Sequence, residues 1–278
     1  MAIAPVSRFI RPPDLAAAVA AVRAGARPVS GGTDLILHPP IDPVDLVDLT
    51  HLPLSGVSPY AGGVRIGATT TLTAMLEDRA VAAVGGGVVS AMLLEVGSPL
   101  LRNRATLGGH LARGRLSDVI PVLLALDATI TWTDGAEHTQ SLSAFYREGR
   151  HRSPMIITGV TIPAAPPPSA AAFFKFARTA FELAILNCAC RIDLDLSGRI
   201  AAARVVVGET PAVGASLSDV EVALTGRTLN AESIAAAAGM AAEVVPARSD
   251  ERATVEYRRA LAAVLVRRSL TEIAERLS

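Results

Sequence analysis

The amino-acid sequence predicts an α+β fold in three parts, and three observations lead to it. Before residue 50, short apolar stretches alternate with an Ala-rich helical stretch, the pattern of a small α/β unit. Two breaker-rich segments, Pro53–Gly63 and Pro163–Pro168, divide the chain. Beyond the second, three long apolar runs precede three helical ones, as in an antiparallel sheet with its own helices. The expected division is 1–59, 60–165 and 170–278.

In chain order, Asp14 follows two prolines and is an expected N-cap for a helix ending at Gly25. Short strands are expected at Pro28–Ser30 and Leu46–Leu49, with Gly31-Gly32-Thr33-Asp34 between them. Pro53–Gly63 reads as a hinge. Val64–Thr70 restarts with a strand, followed by helices over Leu72–Leu76 and Ala80–Leu94, the latter weakened by Gly85–Gly87. Gly97–Asp118 is the densest polar and glycine segment. Val119–Leu126 reads as a helix, and Ala128–Trp132 and Met155–Ile162 as strands. In the last part, Phe173–Phe176, Leu183–Leu194 and Ala201–Val207 read as three antiparallel strands. Ser216–Thr225, Ala231–Val244 and Glu251–Arg268 read as helices, with Asp250 as the expected cap of the last.

The chain has 278 residues, half of them hydrophobic, which is ample for a sizeable core. Mean hydropathy is +0.40, yet charged residues or glycine interrupt every apolar window before it reaches a membrane-spanning length. Neither a membrane span nor a leader peptide is read, and the expected location is cytoplasmic. Lys plus Arg and Asp plus Glu each total 26, for zero net charge. That balance offers no general attraction to nucleic acid, and 4% aromatic residues give no base-stacking platform. Weak self-repulsion also suits a member of an assembly. Cys188 and Cys190, the two cysteines, alternate within an apolar run and are expected as buried thiols on one strand face.

Two segments are candidates for ligand chemistry. Ser30–Asp34 (SGGTD) is a turn that can aim backbone N–H groups at phosphate oxygens, or is simply a tight turn. It does not match the G-x-G-x-x-G dinucleotide pattern. Leu101–Gly109 also places a Thr and two glycines after an apolar stretch, and Arg102, Arg104, Arg113 and Arg115 crowd it. Glycine pairs in two units can grip a long dinucleotide from both sides, and arginines can neutralise its diphosphate. The alternative is a solvated arginine-rich loop. Asp118 is either the cap of the following helix or a carboxylate for sugar-type hydroxyls. The five histidines have no metal-ligand spacing, and no nucleophile motif occurs. Glu182, Asp193 and Asp195 read as strand ends and turns rather than an acid–base set. A chain without such groups can still work through a bound redox cofactor.

Six segments, in order, resemble the FAD-binding medium subunit of the molybdenum hydroxylases, the family of xanthine dehydrogenase and aerobic carbon monoxide dehydrogenase. They are RPPDLAAAVAAVRAGARPVSGGTDLI, VRIGATTTLTAML, LLRNRATLGGHLARGRLSDVIPVLLALDATI, AFFKFARTAFELAILNCACRI, ARVVVGETP and DERATVEYRRALAAVLVRR. The resemblance implies an FAD-binding fold of the vanillyl-alcohol-oxidase / p-cresol methylhydroxylase type, with a C-terminal domain of a three-stranded sheet and helices. By matched position it implies that Pro28, Val29, Ser30, Gly31, Gly32, Thr33, Asp34 and Leu35 form the first diphosphate-contacting loop. Thr106, Leu107, Gly108, Gly109 and His110 would form the second, with Asp118 on the sugar or ribityl part and Ile157 and Lys175 near the flavin ring. It implies electrons arriving from 2Fe-2S clusters on a small subunit, fed by a molybdenum cofactor on a large subunit. They would leave through FAD to NAD or another acceptor, in a heterotrimer or its dimer. Three positions differ from the family's habit: His110 stands where Asn or Ser is usual, the loop before Asp118 lacks a proline and is one residue shorter, and Glu182 stands where Asp is common. Two other readings remain: a structural or regulatory subunit of the same fold that has lost FAD, and a standalone flavin oxidase.

Overall fold

The computed structural model describes residues 6–166, 168–211 and 213–278. Pro167 of the expected Pro163–Pro168 boundary and the first five residues, read above for a leader, lie outside the described residues. The first unit is a parallel sheet of β1 (Val6–Ile10), β2 (Arg27–Val29) and β3 (Val44–Asp48), in the order β1-β3-β2. Parallel strands need a crossover. Helix α1 (Leu15–Arg23) provides the first, and the short α2 (Thr33–Leu37) lies in the second. Asp14 caps α1 as expected, accepting Ala17 N–H at 2.8 Å. Gly25 follows its end at φ +99°. Ala18, Val19 and Val22 of α1 pack on Val47, Leu49 and Ile156. Strand β1 went unforeseen because nearly all its residues are exposed, so it lacks an apolar pattern.

The second unit is an antiparallel sheet ordered β4-β5-β8-β6-β7, from β4 (Val57–Tyr60), β5 (Gly63–Gly67), β6 (Thr129–Thr133), β7 (Glu137–Ser141) and β8 (Ile156–Ile162). The stretch expected as a hinge therefore holds a strand. Pro59 is tolerated there because β4 is an edge. Seven helices accompany this sheet: α3 (Leu72–Glu77), α4 (Arg79–Ala83), α5 (Val88–Leu94), α6 (Pro99–Arg102), α7 (Leu107–Arg113), α8 (Val119–Ala125) and α9 (Leu142–Arg147). Their buried faces, among them Leu72, Met92, Leu107, Leu123 and Phe145, share one core with Ile66 and Ile130 of the sheet. The single helix expected over 80–94 is broken at Gly85, Gly86 and Gly87, all left-handed. The segment Gly97–Asp118, read only as the densest in polar residues and glycine, contains α6 and α7; Thr106 caps α7.

The third unit is a sheet of β9 (Ser169–Phe176), β10 (Leu186–Leu194), β11 (Ile200–Gly208) and the two-residue β12 (Ala215–Ser216). Its pairings are antiparallel, in the order β12-β11-β10-β9, so a short fourth strand joins the three expected. Helices α10 (Ser218–Leu224), α11 (Ala231–Val244) and α12 (Val255–Leu277) follow. The cap of α12 is Thr254, which accepts Tyr257 N–H at 3.2 Å, and not Asp250. Asp250 is instead held by Arg258, at 2.6 and 2.7 Å from its two oxygens.

Period-2 alternation explains the nearly continuous apolar run of β10. Leu186, Cys188, Cys190 and Ile192 face the core under α10–α12, while Ala189 faces the helical core of the second unit. The sheet is thus buried on both sides. The cysteines share one face as expected, both free and buried, with sulfurs 3.7 Å apart. Asn187, Arg191 and Asp193 occupy the Ala189 face; Asn187 and Arg191 carry polar contacts toward α8, and Asp193 accepts from Arg191. At the far end of α12, Arg276 donates to the carbonyls of Ala171 (2.9 Å) and Gly86 (3.3 Å).

Arg258 has no solvent exposure. Besides Asp250 it donates to the Glu209 carbonyl at 3.1 Å. Arg258→Met should cost about 3 kcal/mol, toward the low end for breaking a buried pair because Asp250 keeps some solvent contact. Urea unfolding checks this; a loss below about 1 kcal/mol would show the pair to be unimportant.

Candidate functional site

Strand β2 delivers the chain into the first glycine segment. Gly31 lies so close to the second segment that a Cβ there would collide with the Arg104 carbonyl oxygen. Gly32 then turns at φ +73° and leads into α2. The two glycine segments, far apart in sequence, therefore abut. Pro28, Val29, Ser30, Thr33 and Leu35 are all partly exposed along this edge. Among the described residues, the backbone N–H groups from Gly31 through Leu35 donate to no acceptor in the chain. Such a row of free donors suits an anion.

The second segment works differently. Thr106 Oγ1 accepts Gly109 N–H at 3.3 Å. The N–H groups of Leu107, Gly108 and His110 are already bonded to Thr70, Ala68 and Thr106 carbonyls, at 3.0, 2.7 and 3.2 Å. A Cβ at Gly108 would stand 2.9 Å from both the Cβ and the carbonyl oxygen of Ala68. Gly108 thus lets α7 seat against the end of β5. Gly109 is exposed, and a Cβ there would meet only Thr106 Oγ1, at 3.1 Å. The sequence reading expected donors from both segments. The free ones lie mainly in the first, and the second contributes shape.

Asp34, in the first turn of α2, lies 3.0 Å from His38 Nδ1 and 3.2 Å from Arg113 Nε. The Arg113 contact lacks hydrogen-bond alignment, and this buried Nε has no acceptor. His110 is half-buried, its Nδ1 3.1 Å from Ser117 Oγ. Burial, reinforced by the Arg113 charge and opposed by Asp34, pushes its pKa down to about 4. His110 is therefore neutral at pH 7.

Asp118 stands at the N-cap position of α8, but its side chain caps no helix N–H, against the capping expectation. One oxygen accepts Asn187 Nδ2 at 2.6 Å and the other Lys175 Nζ at 2.9 Å. Lys175 also donates to the Glu95 carbonyl at 2.8 Å. Two residues chosen from resemblance, Asp118 and Lys175, thus form one buried ion pair. A carboxylate offers about four lone-pair directions, so Asp118 keeps acceptor capacity beyond these two bonds. Ile157 lies on β8, buried in the core of the second unit.

Of the four arginines near the second segment, Arg102 is structural: it is buried and donates to the carbonyls of Val96 (3.0 Å) and Gly97 (2.8 Å). Glu182 pairs with Arg178 on the surface, Asp193 with Arg191, and Asp195 closes a turn through Ser197 and Arg199. They form no acid–base set. Sequence reasoning missed Asn187 and Ser117. The available signal for Asn187 was an amide within an otherwise apolar strand, which burial obliges to find a partner.

The family described as FAD binding domain in molybdopterin dehydrogenase matches residues 5–165, and that described as CO dehydrogenase flavoprotein C-terminal domain matches 171–273. The chain is 28% identical over 280 residues to the carbon monoxide dehydrogenase medium chain of Afipia carboxidovorans, covering 94% of each. It is 27% identical over 249 residues to the 6-hydroxypseudooxynicotine dehydrogenase complex subunit alpha of Paenarthrobacter nicotinovorans, covering 83% of this chain and 80% of that one. Its fold superposes on a chain of quinoline 2-oxidoreductase from Pseudomonas putida 86 with a TM-score of 0.88 at 25% identity, covering 100% of this chain and 99% of the other.

Two outcomes are expected from this geometry. Gly31→Ala should destabilise the chain by about 1–3 kcal/mol, because a backbone carbonyl cannot rotate aside as a side chain does. Wild-type stability in urea melts would contradict the abutment of the segments. For His110 the folded pKa is about 4 against an ordinary 6.5. The unfolded chain therefore binds the proton first, and the stability held above pH 6.5 is lost as pH falls toward 4. His110→Asn should remove this part of the acid sensitivity. Equal losses in parent and variant between pH 7 and pH 5 would refute the assignment.

Proposed function

Because the chain belongs to the FAD-binding subunits of the molybdopterin dehydrogenases, we propose that it relays electrons through FAD. They would come from 2Fe-2S clusters on a small partner subunit and leave to NAD or another acceptor. A large subunit would carry the molybdenum cofactor, completing a heterotrimer or its dimer. The reading is supported by relatives named as the medium chain or a subunit of such enzymes. The observation that carries it for this chain is the row of free N–H groups from Gly31 to Leu35, set against the second glycine segment by the Gly31 contact.

The redox chemistry belongs to the flavin when bound; the chain's part is to hold and orient it. The free N–H groups of the first segment would take the diphosphate oxygens. Gly109, open to solvent, would let that group approach closely. Asp118, fixed by Lys175 and Asn187, would present its remaining lone pairs to hydroxyls of the sugar or ribityl part. Neutral His110 would hold Ser117 in place at the same turn. The second reading, a subunit that keeps the fold without FAD, is favoured by one observation: the second segment's N–H groups are largely used internally.

Gly109→Val should lower the flavin-to-protein ratio with the fold intact, since the added Cβ meets only the Thr106 hydroxyl, at 3.1 Å, and no backbone atom. Gly108→Val is the weaker test because it also strains the Ala68 contact. Asp118→Ala should weaken FAD binding by about 1–3 kcal/mol, the worth of one or two hydrogen bonds. Flavin extraction and FAD titration, with circular dichroism as the folding control, decide between the readings. An untreated native complex without flavin would favour the second, and a fully active monomer would exclude the assembly.

A further inference from the structure

A cavity of about 380 Å³ lies between the turn after α7, the one-turn helix at Arg150–Arg152 and the loop joining β11 to β12. Four arginines from three stretches of chain line it: Arg113 and Arg115, Arg152, and Arg248. The carboxylate in its lining is Glu209, which is buried and engaged by Arg252 at 3.2 Å. Two of the four are partly offset from outside the lining, Arg113 by Asp34 at 3.2 Å and Arg248 by Asp250 at 3.6 Å, while Arg115 and Arg152 have no carboxylate partner among the described residues, so the wall keeps a positive excess in a chain whose overall charge is zero.

These arginines keep donor capacity. Among the described residues, the exposed side chains of Arg115 and Arg152 donate to no acceptor, and the buried Arg113 Nε lies 3.2 Å from Asp34 without hydrogen-bond alignment. Arg248 reaches Asp250 only at 3.6 Å. His151, also in the lining, has a buried Nδ1 with no partner. Burial, then the Arg152 charge, holds its pKa below the usual imidazole value. Like charges gathered at a concave wall repel one another and concentrate a positive field, which a multiply charged anion relieves.

We propose that this cavity is a binding site for a small phosphate-bearing anion of diphosphate type. Guanidinium groups match phosphate oxygens in two-bond geometry, and the Arg115 and Arg152 guanidiniums, exposed and held by no protein acceptor, are free to take such a ligand at the mouth of the cavity. None of the Pro28–Leu35 or Thr106–His110 residues lines it, so it extends beyond the two glycine segments. The diphosphate has two possible sources, a separate nucleotide such as an electron acceptor or the flavin itself, and the test separates them.

Equilibrium dialysis of the full chain against inorganic pyrophosphate, in flavin-loaded and flavin-free forms, is the experiment. Saturable binding to both forms is expected. The Arg115→Gln/Arg152→Gln double variant should bind at least tenfold more weakly, with unchanged circular dichroism and flavin content. Arg259→Gln/Arg268→Gln, the same charge change at exposed positions of α12, should bind like the parent. That pattern identifies a second ligand. Binding to the flavin-free form alone, displaced by FAD, would support the phosphate site and identify the flavin's own diphosphate as its occupant. Absence of saturable binding in either form, parent-like binding by the first variant, or equal loss in the α12 control overturns the proposal. Flavin content is measured separately, so failure here leaves the FAD reading intact.

Discussion

The seating of α8 across the inner face of the third sheet fixes most of what surrounds the site. The helix is apolar and almost wholly buried, so its position is set by packing along its length and by charge at its ends. At its start Asp118 joins Lys175 of β9 and Asn187 of β10. Just past its end Asp127 joins Arg191 of β10 and Arg204 of β11. Burying such pairs adds little net stability, because desolvation offsets much of the attraction. Their effect is on alignment: a slip along the strand would strand a charge at one end or both. Ser117, and through it His110 and α7, take their places from this seam.

The glycines near the site do three different jobs that composition alone cannot separate. Gly31 permits backbone-to-backbone contact between segments from different units, Gly32 adopts a left-handed turn, and Gly108 permits a helix to sit on a strand end. Gly109 has none of these constraints and faces outward. The absence of a side chain there leaves that point of the surface open. Close packing thus accounts for most of the motif.

Long elements were legible in the sequence because their patterns are strong. Helix α11 matches its expected span, and the three main strands of the third sheet were visible as apolar runs. Strands β1, β4 and β7 were not, because they are short, mostly exposed or contain proline. At the site, the glycine segments and the Asp118–Lys175 pair were reached through resemblance. From residue types alone Asp118 looked like a helix cap, since local rules cannot foresee that a lysine 57 positions later claims the carboxylate. The engagement of the Leu107 and Gly108 N–H groups was hidden for the same reason: their acceptors lie on the stretch after β5.

The Arg276 contact bears on the order in which the structure can be completed during synthesis. Its acceptor at Gly86 lies 190 residues earlier, in the left-handed glycine turn between α4 and α5. A nascent chain emerges N-terminal end first. The first two units can therefore collapse while the guanidinium that secures this turn has yet to be translated. Until α12 docks, the turn lacks this side-chain tie, and three glycines make its backbone loose. The growing polypeptide thus carries a soft spot in its middle that α12 helps to close.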